Sequence, residues 1–238
     1  MNTNVSRWTA ALPSLKTGPS FSVGQLAVKH LSGVLRWLNE RIFFPIRRRY
    51  LVNLLTPRLI GKTSVLDLGS SDGGLAASIR DRLASDGHIV EFTGADVRRQ
   101  PVVRIPTVSY QGDRLPFDDD SFDSVLLIDV LHHTDDPEVV LREAARVSRG
   151  SVIVKDHYYE NEAQHRRLQR SDYIGNAPYG IRLPYNYLSL DSWTPFLTVQ
   201  CGMSIRASHR FRFNKLDDCP HILFELGMVR SAPARLIR

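Results

Sequence analysis

Between Thr63 and His157 the chain alternates short apolar runs with stretches whose apolar side chains recur every three or four positions. That alternation constrains the fold most. Strand followed by helix, repeated, implies a mostly parallel sheet covered by helices on both faces. "SVLDL" (Ser64 to Leu68) reads as a short buried strand, and Leu75, Ile79 and Leu83 place apolar groups on one face of the helix after it. "IVEFTGADV" predicts a second strand and "VVRIPTVSY" a third, weakened by Pro106. "FDSVLLIDVL" is a long apolar run of the kind buried on both faces of a parallel sheet. Asp136 as cap and Pro137 at the first helical position open a helix whose stripe is Val140, Leu141, Ala144 and Val147, with Gly150 expected to end it. "SVIVKDH" predicts a fifth strand. Between Val97 and Val102 there is room for little more than one turn, so the helix expected between strands two and three should be missing.

The flanks read differently. Residues 1–22 are rich in Ser, Thr, Asn, Pro and Gly and predict a flexible tail. Residues 23–60 predict a helical extension, one helix to Phe44 and a second from about Ile46 to Thr56, separated at Pro45. These helices are expected to pack on the main domain, with a lid over a pocket or a surface that touches lipid as the alternatives. After a core spanning 61–157, residues 158–190 predict an irregular helix and a tyrosine-rich loop that would cap a substrate. Residues 191–238 predict a helix capped by Asp191 and two final strands that complete the sheet.

Composition narrows the class. Apolar residues make up 42% of the 238 and charged residues 24%, which is ordinary for a globular chain. Cys201 and Cys219 supply no disulfide framework, so a reducing cytoplasmic setting is expected. No apolar run has the length of a signal peptide or a membrane span. The formal charge of +6 favours an acidic partner without naming one, although much of the excess is local, in "IRRRY" and "RASHRFRF". Neither cysteine sits in a CxxC pair, and no metal is expected.

The first strand runs into "GSSDGG", a turn in which glycine lets backbone approach a ligand closely. In an open sheet such a loop lies at the carboxyl edge, where ligands bind. Asp67 beside it would repel a pyrophosphate and suits a cationic ligand group better. Asp96, ending the second strand, is placed to accept hydrogen bonds from two ribose hydroxyls.

In order, VLDLGSSDG, GAD, LPFDDDSFDSV and LHHTDDP resemble the motifs "VLDLGCGxG", "GxD", "LPFxDxSFDxV" and "LHHxxDP" of class I S-adenosylmethionine-dependent methyltransferases. Each motif alone is weak, and the ordered set over residues 63–157 is strong. The resemblance implies a Rossmann-like, doubly wound α/β fold whose seven-stranded sheet is mostly parallel with an antiparallel last strand. It implies S-adenosylmethionine as cofactor and S-adenosylhomocysteine as product. Asp67, Leu68, Gly69, Ser70, Ser71 and Gly73 would surround the methionine half, with Asp67 near its ammonium group. Asp96 and Val97 would hold the ribose, Gln111, Gly112 and Asp113 the adenine, and Asp129 and Val130 the methionine side. Two positions depart from the pattern: Ser71 replaces the middle glycine, and Gln111 replaces the adenine-reading acid, though an amide can both donate and accept there.

For the chemistry, His132, His133, Asp156 and His157 near the carboxyl edge are the catalytic candidates, each with a packing role as its alternative. Asn176, Tyr185 and Tyr187 are the substrate candidates in the cap. A small-molecule acceptor is the leading reading, because the variable segments are lid-like. A nucleic-acid methyltransferase follows, favoured by the +6 charge, and a cofactor-dependent module that does not methylate comes third.

Overall fold

The computed structural model describes residues 37, 39–176, 180–214, 217 and 219–228. The expected tail and most of the first expected helix lie outside them. The strands are β1 (Ser64–Leu68), β2 (Glu91–Asp96), β3 (Thr107–Ser109), β4 (Phe122–Ile128), β5 (Ser148–Tyr159), β6 (Leu188–Ser189), β7 (Met203–Phe211) and β8 (His221–Met228). The α-helices are α1 (Phe44–Leu55), α2 (Gly74–Ser85), α3 (Pro137–Val147), α4 (Glu162–Asn176) and α5 (Leu190–Pro195). The sheet order is β3-β2-β1-β4-β5-β8-β7, with β6 added to the end of β5. Pairing is parallel from β3 to β5, while β8 runs antiparallel to both β5 and β7. Strand order reverses between β1 and β4, which opens a crevice at their carboxyl ends.

Side-chain alternation along each strand builds two cores. Leu66, Leu68, Val125, Leu127, Val152 and Val154 pack on one face with Leu141 and Ala144 of α3 and with Trp193. Val65, Leu126, Ile128 and Ile153 pack on the other with Ile79 and Leu83 of α2. Leu51 and Leu55 of α1 are fully buried in that second core, so α1 is a structural layer of the domain. Pro45 sits in the first turn of α1, where its missing N–H has no partner to lose, and a π-helical turn at Asn39–Phe43 precedes it. No helix among the described residues is long and apolar enough to cross a membrane.

The seven expected strands are present, and the link between β2 and β3 is helix-free. The differences have local causes. The third strand shrinks to Thr107–Ser109, because Pro106 can donate no ladder hydrogen bond. Gly150 does not cap α3, which ends at Val147. It lies inside β5, where a Cβ would come within 2.4 Å of the Asp123 carbonyl oxygen, so only glycine fits that close backbone approach. Ser189, not Asp191, caps α5, its hydroxyl accepting from the Ser192 N–H at 3.2 Å. The expected irregular helix after β5 is the regular 15-residue α4.

Candidate functional site

The β1–α2 loop is shaped by backbone that L side chains rarely adopt. Gly69 has φ +80° and Gly73 φ +70°, and Ser71 is left-handed at +51°. A Cβ on Gly69 would lie 2.5 Å from Val130 Cγ2, and one on Gly73 would lie 2.6 Å from Ile105 Cγ1. The loop is tied to β2 through the Gly69 N–H, which donates to the Ala95 carbonyl at 2.7 Å. Asp96 takes the Ser71 N–H on one carboxylate oxygen and the Arg98 N–H on the other, both at 2.8 Å. Each oxygen keeps lone-pair capacity for a further donor.

Asp67 is 5% exposed and forms no ion pair with another described residue. Burial, with Asp96 and Asp72 nearby, pushes its carboxyl up to about 7. A cationic group arriving beside it would reverse that shift. Ser70 Oγ is buried without a hydrogen-bond partner. A buried acid lacking a cation and an orphaned hydroxyl, next to open backbone, fit the ammonium and carboxylate of a bound amino-acid moiety. Val97 is 56% exposed, and its Cγ1 would lie 3.5 Å from a Cβ on Gly112. This leaves an apolar face beside exposed Gln111 and Asp113.

The carboxyl ends of β4 and β5 form a second, denser group. Asp129, left-handed at φ +58°, accepts from Lys155 Nζ and Arg47 Nη2, each at 2.5 Å. Burial opposes its charge, but Lys155 and Arg47 hold it well below the ordinary carboxylate range. Lys155 is fully buried and also lies over the Phe213 ring at 5.2 Å. Asp156 meets His132 Nδ1 at 2.5 Å and also accepts the backbone N–H of His132 at 3.3 Å and of His157 at 2.7 Å. Burial lowers the pKa of the His132 imidazole, yet Asp156 outweighs it and the net direction is upward. Burial, Lys155 and His221 hold His157 well below its ordinary value. His133 is also lowered, by burial and by His132.

The segment after α4 lies across this edge. Tyr187 stacks on His132 with ring centroids 4.8 Å apart, and Asn186 donates from its backbone N–H to the His132 carbonyl at 3.2 Å. Asn186 Nδ2 donates to the Thr134 carbonyl at 2.6 Å, and Arg98 Nη1 reaches the Gly180 carbonyl at 3.3 Å. The segment is thus fastened at both the β2 and the β4 ends. Of the substrate candidates, Tyr187 is buried, and Asn176 is engaged with Asp172 Oδ1 at 2.5 Å. Tyr185 is half-buried at φ +60°.

Sequence reasoning passed over Arg47, Lys155, Asp172 and His221. Lys155 had a readable signal: a lone cation inside the apolar run "VIVKD" must find a buried partner. The others come from distant segments and gave none.

Residues 66–154 match a family described as "Methyltransferase domain". The chain is 28% identical over 162 residues to Cycloartenol-C-24-methyltransferase 1 of Oryza sativa subsp. japonica, covering 62% of this chain. It spans about half, 47%, of that relative's length. The YcgJ protein from Bacillus subtilis superposes with a TM-score of 0.56 at 16% identity, over 77% of this chain and all of that one. The plantazolicin methyltransferase BpumL, solved with a triazolic desmethylPZN analog and SAH, gives 0.58 at 12% identity, over 86% of this chain and 92% of its own. The [4+2]-cyclase SpnF gives 0.54 at 18% identity, over 74% and 79%. The structural matches show the fold, and the family match over residues 66–154 supports a class I S-adenosylmethionine-dependent methyltransferase domain there.

Proposed function

We propose that the chain transfers the methyl group of S-adenosylmethionine to a small-molecule acceptor held at the carboxyl ends of β4 and β5, beneath residues 158–190. The observation that carries this reading is the β1–β2 edge: a left-handed glycine loop, the cation-free Asp67 and the Asp96 carboxylate on one rim. Asp67, Leu68, Gly69, Ser70, Ser71 and Gly73 would hold the methionine half, Asp96 and Val97 the ribose, and Gln111, Gly112 and Asp113 the adenine. Val130 would bound the methionine side, with Asp129 fixing the turn behind it. When bound, the cofactor supplies an electrophilic methyl on a sulfonium.

The chain's own contribution is alignment and exclusion of water, because displacement at a methyl needs an in-line approach more than acid–base help. Asp156 and His132 are proposed as a positioning pair, since Asp156 is already engaged by the His132 ring and by two backbone N–H groups. His157 keeps Nδ1 without a partner and is the histidine proposed to meet the acceptor. Tyr185 and Tyr187 would wall the space from the cap side, and Asn176 would hold the helix end beneath them. The name of the plant sterol methyltransferase relative supports a small-molecule acceptor. Cys201 and Cys219 are not joined to each other in a disulfide, in keeping with the reducing compartment proposed for the chain.

A nucleic-acid acceptor is the second reading, supported by exposed Arg206 and Arg210 on edge strand β7. Incubating the purified chain with methyl-labelled cofactor and acceptors chosen from neighbouring genes decides among the readings. Labelled small-molecule product with stoichiometric S-adenosylhomocysteine supports the proposal. Product on RNA or DNA, with binding that falls steeply with salt, would replace it. Conversion of an acceptor without S-adenosylhomocysteine would assign a non-methylating role.

A further inference from the structure

One group of buried and half-buried side chains at the β4–β5 edge has no task in cofactor binding. The 3₁₀ turn Leu131–His133 sets two imidazoles side by side, with ring centroids 4.0 Å apart and planes tilted by 44°. Helix α4 brings Asp172 to them, its Oδ1 3.7 Å from His133 Nε2. One ring nitrogen from each histidine and one Asp172 oxygen all lie within 4.8 Å of one another. Ligands around an ion at metal–ligand distances of about 2.0–2.2 Å sit roughly 3–3.5 Å apart. Small side-chain rotations would close this group onto one ion.

Two further observations point to a cation. Asp172 is 8% exposed; Asn176 and the Tyr187 hydroxyl engage its carboxylate, but its Oδ2, like His133 Nδ1, has no hydrogen-bond partner within 3.5 Å. An orphaned carboxylate oxygen at that depth is costly unless something positive reaches it. The outer contacts are also of the kind that orient ligands. Asp156 holds His132 through Nδ1 at 2.5 Å, which leaves Nε2 for coordination, and Asn176 Nδ2 braces Asp172 Oδ1 at 2.5 Å.

The neighbouring groups lack this character. Asp129, His157 and His221 are equally close together, but Lys155 and Arg47 already contact Asp129 and would repel an ion. Asp129, His132 and Asp156 share that obstacle, and Asp156 is engaged by N–H donors.

We propose that His132, His133 and Asp172 bind one divalent transition-metal ion, with zinc as the best match to two imidazoles and a carboxylate. Three protein ligands leave a fourth coordination position for water or another ligand. The sequence hides this site because the ligands come from a turn and from a helix about forty residues later, with none of the familiar spacings.

The test uses the full chain stripped with a chelator and titrated with Co²⁺, whose visible bands report coordination, followed by Zn²⁺ competition. The expected result is one Co²⁺ per chain, displaced by Zn²⁺. Affinity should fall at least tenfold in His133→Ala and in the near-isosteric Asp172→Asn, and stay unchanged in His221→Ala. Titration of the same samples with S-adenosylhomocysteine shows that each variant is folded and keeps this proposal separate from the cofactor assignment. No stoichiometric Co²⁺ or Zn²⁺ would overturn the proposal. So would unchanged affinity in Asp172→Asn, or loss in His221→Ala alone.

Discussion

At the β1–β2 end of the carboxyl edge, the working surface is mostly backbone: Gly69, Ser71 and Gly73 in left-handed turns, and N–H groups fixed on Asp96 and Ala95. At the β4–β5 end it is almost entirely side chains: Asp129, Lys155, Asp156 and four histidines, stacked on one another and sealed by Tyr187. The first region tolerates no added atoms. The second tolerates no unbalanced charge. One sheet edge therefore fails in two different ways, and substitutions can tell them apart.

The largest effect is expected at Lys155. Its ammonium is fully buried against Asp129, so Lys155→Met leaves that carboxylate with the half-exposed Arg47 as its remaining ion-pair partner of full charge. Breaking such a pair costs about 3–5 kcal/mol, and urea unfolding should show a loss of that order. A change below about 1 kcal/mol would mean that the charges at this end do not depend on one another. Next comes Gly69→Ala. A methyl 2.5 Å from Val130, on a residue at φ +80°, combines overpacking with left-handed strain, together about 2–4 kcal/mol. The Gly69→Ala, Val130→Ala double variant should recover the overpacking part and keep the strain. If the single variant is as stable as the parent, the loop is not held by close approach.

A smaller effect is expected for Asp96→Ala, which should weaken S-adenosylhomocysteine binding about tenfold or more, or roughly 1.4 kcal/mol. Charge-assisted hydrogen bonds are worth about 1.5–3 kcal/mol each before discounting for solvent access. Part of the loss would come from releasing the Ser71 and Arg98 N–H groups, so global stability should fall by less than the binding energy does. An unchanged dissociation constant would place the ribose elsewhere.

The same contrast explains what could be read from the sequence. The glycine loop, Asp96 and the strand order follow from consecutive residues, because a turn, a buried strand and a helix stripe each leave a local pattern. Gly150 misled because glycine after a helix usually marks its end, whereas here the constraint is the Asp123 carbonyl across the sheet. The two-residue β6 had no periodicity to read. The charge cluster was legible only in part: His132, His133, Asp156 and His157 fall where strands end, while Arg47, Asp172 and His221 reach them from α1, α4 and β8. Contacts between such distant segments leave no spacing in a single chain.

The central claim, that the β1–β2 edge holds S-adenosylmethionine and not a dinucleotide, is tested most directly by calorimetric titration of the full chain with S-adenosylhomocysteine and, separately, with NAD. One-to-one binding of S-adenosylhomocysteine with no heat from NAD is the result expected of an edge whose buried Asp67 attracts an ammonium and repels a pyrophosphate. Tight NAD binding with no response to S-adenosylhomocysteine would contradict it.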